Sequence, residues 1–98
     1  MDEIRDYLVL NKNMSDVILE KTLTKLNKHM DIVDEFKKWI KTQKYEIDNP
    51  ICIEGYTAKD IYNLAPFLDG LGVFNFLITL RENPDRAKAE IAAGFPRK

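Results

Sequence analysis

The sequence has few of the residues that build disulfides, metal sites and reactive centres. Its 98 residues include one cysteine, Cys52, and one histidine, His29. A single cysteine excludes an internal disulfide framework and a paired-cysteine metal motif, and a zinc site needs three or four ligands. We therefore expect no metal and no cofactor. Cys52 lies between Ile51 and Ile53, which indicates a small buried side chain rather than a nucleophile.

Linkers, net charge and long apolar segments are also scarce. Four glycines and four prolines leave no room for a long linker, and the formal net charge is −1. That charge creates no general attraction for nucleic acid or an anionic membrane. The opening residues MDEIRDYLVL lack a basic leader, and this run is about half of the ~20 residues that a membrane helix needs. We expect one globular domain over 1–98, cytoplasmic and without a membrane partner.

One segment, 71–80, carries the highest density of large apolar residues. Its sequence is LGVFNFLITL, which fits either a buried helix or a buried strand by periodicity. The flanks favour a helix near 71–82, because Asp69 can cap its start and Asn83-Pro84 can begin another helix. The alternative is a strand, which would place a βαβ unit over 51–80 and make the protein α+β.

The remaining segments complete a mainly α fold, a compact bundle of about five helices around 71–82. We predict helices near 16–28 and 32–43, the second capped by Asp31, and two more after Thr57 and Asn83. Residues 51–54, ICIE, predict one short strand. The first 14 residues fit either a short strand or a helix end, and could be loosely ordered.

The titratable groups are explained without catalysis. His29 falls between two predicted helices, where it suits an exposed position near a helix C-terminus. The acids Asp31, Asp34 and Glu35 fall in the first turn of the next helix, where carboxylates are favoured by the helix dipole. These positions favour a protein that is not an enzyme.

A lysine face on the helix near 32–43 is the strongest charge feature. It consists of Lys37, Lys38, Lys41 and Lys44. Such a face could contact phosphates, so nucleic-acid binding is an alternative function. A lysine-rich outer face is also an ordinary way to solvate a helix, and binding would need a footprint on more than one element.

Three short segments resemble a known group of proteins. They are EGYTA at 54–58, LRENP at 80–84 and GFP at 94–96. Together with the spacing of the chain from His29 onward, they are similar to short uncharacterised proteins encoded on conjugative transposons of Gram-positive bacteria. The resemblance implies an accessory protein of a mobile element in a bacterial cytoplasm. It implies no catalytic or ligand-binding residue.

The resulting hypothesis is a non-enzymatic interaction module with a protein partner. Its predicted contact residues are aromatic side chains outside the main apolar stripes: Tyr45, Tyr56, Tyr62 and Phe95. Tyrosine is favoured at protein interfaces. The alternative is that these rings pack against the core.

Overall fold

The computed structural model describes residues 2–43 and 51–95, apart from the side chain of Asp2. In these ranges the chain forms six α-helices. They are α1 (Asp2–Lys12), α2 (Asp16–Asn27), α3 (Met30–Thr42), α4 (Ala58–Leu64), α5 (Gly70–Glu82) and α6 (Pro84–Ala92). The mainly α prediction is therefore confirmed. None of these helices is long and apolar enough to cross a membrane.

The most apolar segment is a helix, and the βαβ alternative is wrong. Asp69 caps α5 by accepting a hydrogen bond from the Gly72 amide at 2.9 Å. The predicted strand at 51–54 is also wrong, since that region holds only an isolated antiparallel bridge between Ile53 and Tyr56. Glu54 and Gly55 between them have φ of 53° and 84°, so the chain reverses tightly there instead of extending.

Polar side chains fix the starts of α4 and α6, as the sequence predicts. Thr57 and Asp60 form a reciprocal capping box at 3.0 and 3.2 Å, which satisfies two amides left free at a helix start. Asn83 accepts a hydrogen bond from the Arg86 amide, with Pro84 in the first turn. These caps set where the helices begin and therefore where their apolar faces point.

The first segment takes the helical one of its two predicted alternatives, and the start of the third helix differs from the prediction. Residues 2–12 form α1, and Asn13 at φ 50° turns the chain toward α2, a conformation that asparagine tolerates. The third helix begins at Met30 with His29 at the cap position, so Asp31 lies in its first turn instead of capping it. The carboxylate at position 31 makes a tertiary ion pair with Arg81, which replaces the predicted capping role.

Helices α3 and α5 form the centre of the core. Helix α5 packs against α3, α4 and α6, and α3 also packs against α1 and α2. Phe36 and Phe74 meet between the two central helices with ring centroids 5.4 Å apart. Both rings are almost completely buried, and burial of a side chain of this size contributes about 1.5–3 kcal/mol.

At Gly70 the α5 backbone lies against the Trp39 side chain of α3. A Cβ placed on this glycine would lie 2.5 Å from Cε3 and Cζ3 of the Trp39 ring, well inside the normal carbon contact of about 3.5–4.0 Å. Trp39 is itself held edge-on by Tyr7 and Phe36, with centroids 5.5 and 5.8 Å away. The ring has little room to retreat, so position 70 has space for glycine only.

We expect Gly70→Ala to destabilise the fold by about 1–3 kcal/mol, the usual cost of overpacking, although alanine is otherwise the better helix former. Thermal unfolding followed by circular dichroism measures the change. Gly72→Ala is the comparison variant, because a Cβ there would meet Leu68 Cδ2 and Cβ at 3.1 and 3.2 Å, a milder contact that should cost less than the overlap at position 70. A Gly70→Ala protein as stable as the wild type would contradict this packing.

Candidate functional site

Three of the predicted lysines lie on α3, and each of two has a carboxylate nearby. Lys38 Nζ is 4.0 Å from Glu35 Oε1, and Lys41 Nζ is 3.5 Å from Glu3 Oε1. Lys38 and Lys41 are exposed, and Lys37 is half-buried. The neighbouring carboxylates weaken the positive field of this face. Lys44 lies outside the described residues.

The predicted aromatic contacts do not all reach the surface. Phe95 is only 8% exposed, and its ring lies 4.7 Å from that of Phe76 on α5. Tyr56 and Tyr62 are partly buried and pack against the core. Tyr45 lies outside the described residues. Phe95 therefore offers little surface to a partner, while Tyr56 and Tyr62 each keep an exposed edge.

His29 is buried in a polar cluster instead of being exposed as predicted. It is 8% exposed, with Nδ1 3.4 Å from Arg81 Nη1 and Nε2 3.4 Å from Glu82 Oε2. The Nε2 contact is not aligned as a hydrogen bond. The end of α5 passes over the α2–α3 junction at this point, and that tertiary contact covers the imidazole.

Arg81 ties the same cluster to α3. It donates two hydrogen bonds to the Asp31 carboxylate, at 2.8 and 2.5 Å, which lower the pKa of that carboxyl below its ordinary value. The cluster of His29, Asp31, Arg81 and Glu82 contains no hydroxyl or thiol nucleophile. It joins α3 to the end of α5 through paired charges, which is a structural arrangement.

Glu35 is a buried carboxylate that the sequence pattern did not reveal. Its position was predicted to be in the first turn of α3, but the helix begins earlier and the side chain turns inward, with 6% exposed. Its Oε2 has no hydrogen-bond partner among the described residues. Burial raises the pKa of this carboxyl, while Lys38 opposes the rise.

Exposed apolar side chains concentrate around the link between α1 and α2. Seven large apolar residues in the described ranges are exposed, and four of these lie within residues 9–18: Val9, Leu10, Val17 and Ile18. Val17 and Ile18, at 65% and 53% exposed, begin the solvent side of α2, opposite the buried Leu19 and Leu26. Ile18 recurs with Leu19, Leu23 and Leu26 at helical spacing in the sequence, yet its side chain is exposed.

Three lysines follow the apolar pair along α2. Lys21, Lys25 and Lys28 have helical spacing that places them on one side. With Thr24 they line a shallow pocket of about 330 Å³, whose other lining residues are Glu20 and Glu82. This side of α2 thus presents an apolar end followed by a basic end. The basic surface predicted from the sequence is instead the lysine face of α3.

Cys52 is exposed, so the prediction that it is a buried hydrophobic residue is wrong. The flanking isoleucines are partly or fully buried, and the alternation along an extended segment turns the intervening side chain outward. Among residues 2–43 and 51–95, no group of three or more His, Cys, Asp or Glu side chains could hold a metal ion.

Comparison with protein-family models, with curated proteins and with solved structures finds no match to this chain. The resemblance to conjugative-transposon proteins therefore depends on its sequence segments alone.

We expect Glu35→Gln to make the protein more stable at neutral pH. Because the folded-state pKa of Glu35 is raised, the unfolded chain loses this proton at a lower pH than the folded chain. The wild type therefore loses stability as the pH rises from the ordinary glutamate value through the raised one. The variant lacks this titration, so its advantage should shrink as the pH falls toward 4.5, the ordinary value.

Urea unfolding at several pH values measures this difference. Asp6→Asn is the control, since Asp6 is an exposed carboxylate on α1 and is not among the charged groups that act on Glu35. Equal stability of Glu35→Gln and wild type across the range would show that burial of the carboxylate is not costly.

Proposed function

We propose that this protein is a non-enzymatic interaction module, an accessory protein of a conjugative mobile element that acts in the bacterial cytoplasm by binding a protein partner. The mobile-element context is supported by the resemblance of 54–58, 80–84 and 94–96 to conjugative-transposon proteins. The binding role is supported by the surface of α2.

The observation that carries the proposal is the exposure of Val17 and Ile18. Isolated exposed apolar residues are common on soluble proteins, but these two are adjacent on one helix, at 65% and 53% exposed. Val9 and Leu10 are exposed on the preceding helix. The Arg5–Glu20 ion pair at 2.7 Å holds α1 beside α2. Covering apolar side chains on neighbouring helices would favour binding of a protein.

Tyr56 and Tyr62 are secondary candidates for the same role. Both are partly buried against the core, so they could add edges to an interface but not anchor one alone. The rigid placement of such rings reduces the entropy lost on binding. Val17 and Ile18 remain the primary contact residues of the proposal.

We expect Val17→Glu combined with Ile18→Glu to weaken partner binding strongly while the fold is retained. Carboxylates in the first turn of a helix are favoured by its dipole, so the variant should keep the wild-type circular dichroism spectrum. Affinity purification from the native host, with wild type and variant as baits, measures the loss. Removal of two central apolar contacts should weaken binding by about tenfold or more.

Leu64→Glu is the matched control, because Leu64 is an exposed apolar residue on α4 and its replacement should leave binding unchanged. Recovery of the same partner by the double variant would refute the proposal. So would repeated purifications in which the wild type recovers no specific protein.

The second candidate function is nucleic-acid binding through Lys37, Lys38, Lys41 and Lys44. It is favoured by the exposure of Lys38 and Lys41, and opposed by their neighbouring carboxylates. If it is correct, the wild type should bind labelled double-stranded DNA at low salt and release it as salt rises. Reversal of Lys38 and Lys41 to glutamate should abolish that binding. No binding of DNA at low salt would eliminate this function.

A further inference from the structure

The solvent side of α2 carries exposed apolar side chains at one end and lysines toward the other end. We define the α2 outer face as Val17, Ile18, Lys21, Thr24, Lys25 and Lys28, all in or directly after α2. Only Leu19 and Leu26 of this helix are fully buried. At 1.5 Å per residue the face extends over about 16 Å, or three helical turns. A ligand that covers it must itself be elongated.

The two carboxylates that line the pocket with these lysines, Glu20 and Glu82, lie closer to other partners. Glu20 is engaged by Arg5 at 2.7 Å, and Glu82 faces His29 Nε2 at 3.4 Å. Within the ranges 2–43 and 51–95, no carboxylate lies within 4.0 Å of the ammonium groups of Lys21, Lys25 or Lys28. Three cations are thus available on one surface of a protein whose net charge is −1.

The favourable position of lysines near a helix C-terminus explains part of this arrangement. It does not explain the exposed apolar pair at the other end. A nucleic acid would neutralise the lysines but leave Val17 and Ile18 uncovered. A second copy of the chain packed on the same face would bring two rows of lysines together, and like charges oppose association.

We propose that the α2 outer face binds an acidic amphipathic segment of a partner protein. Apolar side chains of that segment cover Val17 and Ile18, and its carboxylates pair with Lys21, Lys25 and Lys28. The geometry matches a helix of about three turns laid along α2. This inference rests on the proposed interaction function and specifies the chemical class of the partner.

The test uses two synthetic 15-residue helical peptides with identical leucine positions on one face. One carries glutamate on the opposite face, and the other carries lysine. Fluorescence anisotropy with the full-length protein measures their affinities, and amide chemical shifts locate the contact. We expect the Leu/Glu peptide to bind about tenfold or more tightly than the Leu/Lys peptide, with the largest shifts at 17–28.

Three variants separate this face from general electrostatics. The first variant replaces three lysines with glutamine, Lys21→Gln/Lys25→Gln/Lys28→Gln, and should weaken binding of the Leu/Glu peptide about tenfold. The second variant places glutamate at the same three positions and should weaken that binding further. The matched control is Lys37→Gln/Lys38→Gln/Lys41→Gln, which removes the same number of charges from α3 and should leave binding unchanged. Circular dichroism checks that each variant folds.

The inference is overturned if the two peptides bind equally, if the α3 control weakens binding as much as the α2 variant, or if the Leu/Glu peptide does not bind. Tighter binding of a 15-base-pair DNA than of the Leu/Glu peptide, or dimerisation through this face, would also overturn it. The Leu/Glu peptide could fail to bind while the Val17→Glu/Ile18→Glu variant still recovers less partner from the host extract than the wild type does. In that case the proposed partner chemistry is wrong and the interaction function stands.

Discussion

The structure depends on the close packing of α5 across α3. Phe36 and Phe74 fill the space between the helices, and Trp39 lies where Gly70 has no side chain. A glycine at the first turn of a buried helix lets the indole approach the backbone. The remaining helices are placed by this pair, because α1 and α2 pack on α3 while α4 and α6 pack on α5. Helices α3, α4 and α6 together cover the most apolar segment, and α1 and α2 cover the rest of α3.

This arrangement determines which surface is available for function. Helix α3 buries five residues, and the lysines on its exposed side have carboxylates nearby. Helix α2 lies at the edge, packs on α1 and α3, and buries only Leu19 and Leu26 completely. Most of its circumference therefore faces solvent. A helix at the edge of a bundle can carry an interaction surface without disturbing the core, because substitution of its exposed residues removes no core contact.

The sequence predicts the helices well where local chemistry determines them. The Asp69, Thr57 and Asn83 caps form as expected, because a cap depends on side chains within three residues. It predicts poorly what depends on tertiary contacts. His29 and Glu35 are buried by neighbours that are distant in the chain or by the exact helix phase. Ile18 fits an apolar spacing, but Val17, Ile18 and Leu19 are consecutive and cannot all face one side of a helix.

The candidate site was missed for a related reason. A sequence pattern assigns apolar residues to the core and lysines to the solvent. A surface built from both types therefore does not stand out as one site in the sequence. In the structure, Val17 and Ile18 do not belong to the hydrophobic core cluster, and this fact identifies them as surface residues.

Asn83 has a consequence for how the chain folds. It ends α5 and caps α6, so it is the single residue between the two helices. The Phe76–Phe95 contact between α5 and the end of α6 joins residues that are close in sequence, whereas Phe36–Phe74 closes a segment roughly twice as long, at a greater entropic cost. We expect the α5–α6 hairpin to form early from local contacts and then to offer the surface on which α3 docks.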